Sequence, residues 1–129
     1  HATLSLPLTI DRAAAAAAVA ALTTGVGTAL DAGIAAAAVA VGPERPDAVR
    51  AIIVVTDGRP STGIAPALAA AAEARAAGIV LHAVGLGDDV DAALLTAIAG
   101  DAERYHAAPG TEDLVGVYAG LGREMTVCP

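Results

Sequence analysis

The hydrophobic pattern changes period several times along the chain, and each change marks an element. Over residues 2–10, Leu4, Leu6 and Leu8 alternate with Thr3, Ser5 and Pro7, the period-2 spacing of a half-buried strand. Pro7 has no N–H to donate to a ladder, so this strand belongs at a sheet edge. Residues 13–22 form an alanine-rich run without a clear apolar stripe; alanine's helix propensity predicts helix, with Asp11 as its cap. Residues 23–27 read as a turn. Leu30, Ile34 and Val41 then recur at near-helical spacing over 29–41, until Pro43 and Pro46 break the helix.

The β-branched run Ala51-Ile52-Ile53-Val54-Val55 shows no alternation, which predicts a strand over 49–56 buried on both faces of a parallel sheet. A polar loop, Asp57-Gly58-Arg59-Pro60-Ser61-Thr62-Gly63, leads into a helix over 65–77, with Pro66 tolerated in its first turn and Gly78 as its stop. Residues 79–84 read as a second buried strand, ending in Gly85-Leu86-Gly87-Asp88-Asp89. A helix over 91–99 stopped by Gly100, a short strand over 104–107, and a last helix over 112–124 capped by Thr111 complete the series. Strands alternating with helices predict right-handed βαβ crossovers and an α/β fold, its mostly parallel sheet covered by helices on both faces. No linker divides the chain, so residues 1–129 read as one domain.

Composition narrows the function classes. Fourteen acidic residues against seven basic ones, none of them Lys, give a net charge of −7, which leaves no basic stripe for a phosphate backbone. Nucleic acid is therefore not an expected partner. The longest apolar run, 13–22, falls far short of the ~20 residues that cross a bilayer. Cys128 is the single cysteine, which excludes an internal disulfide and a cysteine-based zinc site; it is a free thiol or bridges to a cysteine elsewhere. The chain starts at His1 with no signal-type pattern, so the start reads as internal, that of a fragment or processed product. The Lys-free, Ala- and Arg-rich composition is compatible with a GC-rich, bacterial genome.

In open parallel sheets, ligands bind beyond the carboxyl ends of the strands. The loops at 23–28, 57–63 and 85–89 occupy such positions, and they offer a hydroxyl at Thr28 and a carboxylate at Asp57. Oxygen donors of this kind suit a hard divalent cation such as Mg²⁺. Each also has a plainer reading: Thr28-Ala29-Leu30-Asp31 has the form of a capping box, and Asp57-Gly58 is a common turn pair. His82 and His106 read as core or rim imidazoles before ligands. Ser61 lacks the Gly-x-Ser-x-Gly frame of a hydrolase nucleophile. Gly85-Leu86-Gly87 lacks the third glycine of a dinucleotide fingerprint, and Asp88 and Asp89 would repel a pyrophosphate. Arg59, a solvated arginine on the plainer reading, flanks the same face and is a rim contact for an acidic ligand on the other.

The segments Gly25-Val26-Gly27-Thr28-Ala29-Leu30-Asp31, Arg50-Ala51-Ile52-Ile53-Val54-Val55-Thr56-Asp57-Gly58 and Gly78-Ile79-Val80-Leu81-His82-Ala83-Val84-Gly85, in this order and spacing, resemble the von Willebrand factor A domain family. The tail, through Tyr105-His106-Ala107-Ala108 to Asp113-Leu114, resembles the family's last strand and helix. The resemblance implies a Rossmann-like three-layer domain with a metal-ion-dependent adhesion site. There Mg²⁺ sits atop the sheet and a partner's Asp or Glu completes its coordination. The family's loop threonine falls on Thr28 and its strand-end aspartate on Asp57. Its remaining ligands lie in an Asp-x-Ser-x-Ser loop after the first strand, and no such motif occurs in these 129 residues.

The resemblance thus implies a partial domain, incomplete at the N-terminus, whose most hydrophobic strand lacks a neighbour. An apolar edge of that sort pairs with something, so a complementing chain or self-association through the edge is expected, unless the full sheet does not form. Little or no Mg²⁺ is expected to bind this chain alone. The implied role is non-enzymatic, recognition or adhesion to a protein bearing an acidic residue, extracellular or at a cell surface rather than cytoplasmic. The alternatives are an intracellular subunit of an ATPase-linked assembly and, further off, a nucleotide-dependent α/β enzyme.

Overall fold

The computed structural model describes residues 4, 6, 11–21, 29–43, 49–57, 63–110 and 112–126. The strand expected at 2–10, the turn at 23–27 and the cap at Thr111 lie outside these residues, Leu4 and Leu6 excepted. The elements run α1 (Arg12–Ala20), α2 (Leu30–Ala40), β1 (Ala51–Thr56), α3 (Ile64–Ala76), β2 (Val80–Leu86), α4 (Ala92–Ala99), a 3₁₀ turn (Ala102–Arg104), β3 (Tyr105–Ala108) and α5 (Asp113–Thr126). Among the described residues the strands form one parallel sheet in the order β1-β2-β3.

Local chemistry sets the helix ends. Asp11 accepts from the Ala14 N–H at 3.0 Å and caps α1, as its position predicted. Asp91 does the same for α4 through the Leu94 N–H at 3.0 Å, and Gly100 ends that helix in the left-handed region at φ +79°. The N-cap of α2 is Ala29, which has no side-chain oxygen, so the capping-box reading of Thr28 places the cap one residue too early.

Register sorts the side chains onto two faces. One carries Ile52 and Val54 of β1 with Leu81 and Ala83 of β2, and these pack with Leu30 and Ile34 of α2, Ala67, Ala71 and Ala74 of α3, and Leu94, Leu95 and Ile98 of α4. The three α3 alanines are buried, and their small side chains let that helix lie close to the sheet. The opposite face carries Val84 and Ala108, covered by Leu121 of α5, with Ile53, Leu86, Leu114 and Val117 at the margin.

This arrangement corrects one expectation. β2 is buried on both faces, but β1 is not: Ile52, Val54 and Thr56 are buried, Ala51 and Ile53 are half-buried, and Val55 is 41% exposed. A β-branched run specifies extended backbone, whereas burial depends on what lies above it. Among the described residues α5 packs on β3 and, through Leu121, joins Val84 of β2, while of β1 only Ile53 lies at the margin of that cluster.

Candidate functional site

The three described strands run the same way, so their carboxyl ends share one rim. β1 ends at the buried Thr56, and the next residue, Asp57, is exposed. β2 ends at Leu86, followed by Gly87 at φ +86° and the exposed Asp88 and Asp89. The Gly87 N–H donates to the Ala108 carbonyl at 2.8 Å and ties the β2 and β3 ends together. The rim is therefore acidic, with Asp57 on the β1 end and Asp88 and Asp89 on the β2 end.

Asp57 thus sits where the sequence predicted, at the carboxyl end of β1 and open to solvent. Thr28, Arg59, Ser61 and Cys128 lie outside the described residues. Ala29, which follows Thr28, lines a groove together with Ile53, Val54 and Val55, so the start of α2 lies alongside the second half of β1. Among the described residues, no three His, Cys, Asp or Glu side chains gather closely enough to hold a metal ion.

The two strand histidines are brought together. His82 of β2 is buried, and its Nδ1 lies 3.4 Å from Nε2 of His106 on β3, the rings stacked at 5.6 Å between centroids. They pack against one another, in keeping with the core-imidazole reading. Gly85 has an equally structural explanation: a Cβ there would lie 3.0 Å from the Tyr105 hydroxyl and from Val90, and 3.1 Å from Leu95. Side chains already occupy the space that a phosphate would need beside a nucleotide-binding glycine.

Sequence reasoning missed two features. Arg50, just before β1, donates to the Gly42 carbonyl at 3.2 Å and to the Ala77 carbonyl, tying the ends of α2 and α3 to the amino-terminal end of the sheet. The groove beside β1 is the other. It measures about 330 Å³ and is roofed by Ala29, Leu30, Gly33, Ile34 and Ala37. Its sequence signal was the small residues Ala29, Gly33 and Ala37, spaced four apart on one side of a helix.

Comparison with known proteins agrees with this architecture. Among curated proteins no sequence match emerges. Proximal thread matrix protein 1 from the mussel byssus, solved with zinc in its metal-ion-dependent adhesion site motif, superposes with a TM-score of 0.78 at 20% identity, over 91% of this chain and 32% of that one. The pilus adhesin SpaC of Lactobacillus rhamnosus GG gives 0.74 at 14% identity, over 87% of this chain and 21% of the adhesin. BatB, a conserved hypothetical protein of Bacteroides thetaiotaomicron, gives 0.70 at 22% identity, over 94% of this chain and 72% of that one. The chain thus spans about a third of the length of the mussel protein. At such identities the likeness establishes the fold: a parallel sheet packed with helices. The family assignment rests on sequence, because residues 4–117 match the von Willebrand factor type A domain, and the chain belongs to that family.

Proposed function

We propose that this chain is a non-enzymatic protein-binding domain that recognises an acidic residue of its partner at the rim carrying Asp57. The position of Asp57 supports this reading: an exposed carboxylate at the carboxyl end of β1, close in sequence to the buried Thr56 that anchors the strand end. The metal-occupied adhesion motif of the mussel relative and the manganese-loaded state of the Plasmodium vivax TRAP protein, 22% identical, favour metal assistance. The adhesin relative favours a surface or extracellular setting.

The donor set of these residues does not by itself fit a complete site. Mg²⁺ prefers octahedral oxygen coordination and sheds water reluctantly. Asp57 and Thr28 supply one carboxylate and one hydroxyl, and no Asp-x-Ser-x-Ser is present to add more. The chain alone is therefore a weak metal binder, and because Asp57, Asp88 and Asp89 make the rim itself acidic, recognition of an acidic partner there depends on a cation held between the two. Calorimetry with Mg²⁺ and Mn²⁺ tests this directly. We expect weak heats that Asp57→Ala removes; micromolar binding by the unaltered chain, or weak binding indifferent to Asp57→Ala, overturns the assignment.

A further inference from the structure

His82 and His106 occupy one face of the sheet on neighbouring strands. In the parallel register Val84 pairs with His106, so His82, two residues before Val84, stands diagonally across from His106 on the same face, the one that Leu121 of α5 covers. Where packing alone was needed, that face carries the aliphatic residues Val84 and Ala108. An imidazole buried there must instead have its polar nitrogens satisfied. His82 is 6% exposed, and its Nδ1 faces Nε2 of His106 at 3.4 Å.

That separation is long for a hydrogen bond, which for N–H donors spans about 2.7–3.2 Å. It matches another arrangement. Two imidazole nitrogens bound to one tetrahedral ion at about 2.0–2.1 Å stand roughly 3.3–3.4 Å apart. Adjacent corners of a square-planar Cu²⁺ or Ni²⁺ site would bring them to roughly 2.8–2.9 Å, and opposite corners would part them to roughly 4 Å. The centroid separation of 5.6 Å exceeds the nitrogen separation by nearly the width of a ring, so the two nitrogens face each other along the line between the rings. A small turn of each ring about χ2, a soft torsion in histidine, aims both lone pairs at one point beside that line.

We propose that His82 and His106 form a transition-metal site that takes Zn²⁺, His82 binding through Nδ1 and His106 through Nε2, with waters at the other two corners. Imidazole nitrogen suits Zn²⁺, whereas Mg²⁺ is a hard ion that takes oxygen donors. In the metal-free neutral pair one of the facing nitrogens carries a proton; with the ion bound neither does. Binding therefore fixes the ring protons on Nε2 of His82 and Nδ1 of His106. Two N–Zn bonds replace two water–Zn bonds, and no net proton leaves the neutral pair. His106 is half-buried, which leaves the ion a way in, and the net charge of −7 favours a cation. The pair lies in the amino-terminal half of β2 and on the second residue of β3, apart from the Asp57 rim, so the proposal does not depend on metal assistance there.

The test uses the 129-residue chain carrying His1→Ala and Cys128→Ser, which leaves His82 and His106 as its only imidazoles and removes its one thiol. Co²⁺ is the spectroscopic probe, because its tetrahedral complexes absorb visible light far more strongly than its octahedral ones, and Zn²⁺ is titrated against it. Long-range ¹H–¹⁵N NMR spectra of the imidazoles read the tautomer of each ring with no substitution at the site. In this background His106→Gln removes one ligand at the half-buried position, and Asp57→Ala removes the rim carboxylate.

The expected result is one-to-one Co²⁺ binding with tetrahedral bands, displaced by Zn²⁺ and untouched by millimolar Mg²⁺. His106→Gln should weaken Zn²⁺ binding roughly tenfold or more, and Asp57→Ala should leave it unchanged. The NMR spectra should show Zn²⁺ placing the ring protons on Nε2 of His82 and Nδ1 of His106, a readout that decides the matter even where His106→Gln fails to fold. Absence of one-to-one binding by the folded chain, imidazole nitrogens that Zn²⁺ leaves unshifted, or Zn²⁺ binding that His106→Gln spares overturns the proposal and leaves the pair a proton-sharing packing contact. Loss of Zn²⁺ in Asp57→Ala alone assigns the ion to the rim and overturns it as well.

Discussion

The same substitution, glycine to alanine, should have opposite signs at Gly85 and Gly33, and the contrast measures how tightly the sheet and its helices are joined. A Cβ on Gly85 would stand 3.0 Å from the Tyr105 hydroxyl and a Val90 methyl, and 3.1 Å from a Leu95 methyl. Comfortable carbon contacts lie near 3.5–4.0 Å, so each neighbour must retreat by several tenths of an ångström. They belong to β3, to the segment before α4, and to α4, and Leu95 is 1% exposed, with no free volume behind it. Overpacking of this kind costs about 1–3 kcal/mol, offset by up to about 1 kcal/mol because alanine restricts the unfolded chain. Gly85→Ala should therefore lose about 0.5–2 kcal/mol. Gly33 sits in α2 with open space around its Cβ, so Gly33→Ala should gain about 1 kcal/mol from helix propensity alone. Guanidinium denaturation followed by circular dichroism reads both. A Gly85→Ala variant as stable as the parent would refute the close packing of β2 against α4 described above.

Gly100→Ala should cost about 1–2 kcal/mol for the left-handed backbone alone, and more because its Cβ would lie 2.9 Å from the Arg75 side chain, which donates to the Ala97 and Ile98 carbonyls at the end of α4. A melting temperature within a degree of wild type would contradict that geometry. Asp91→Ala should lose about 1 kcal/mol, whereas Asp91→Asn or Asp91→Ser should lose little, since each keeps an oxygen for the Leu94 N–H. Asp57→Ala should leave stability within about 0.5 kcal/mol of wild type, as expected for an exposed residue, so any binding defect in that variant belongs to function and not to folding.

What could be read in the sequence was what is local. The cap at Asp11 and the stop at Gly100 depend on hydrogen bonds and backbone angles within four residues, and each occurs where the residue type required it, whereas Asp91, read as the first residue of its helix, turns out to cap it. β2 was legible because its covering helices lie on both sides, matching an unbroken apolar run. β1 carries the same kind of run, yet Val55 stands half in solvent, because a hydrophobic side chain states a preference for cover and cannot supply it. Asp57 was legible from its place at a strand end. Thr28 stood out through the family resemblance, its local pattern being equally that of a cap. The groove was only half legible: the small residues Ala29, Gly33 and Ala37 marked one side of α2, but the groove itself arises where that helix passes over β1, an approach neither segment encodes alone.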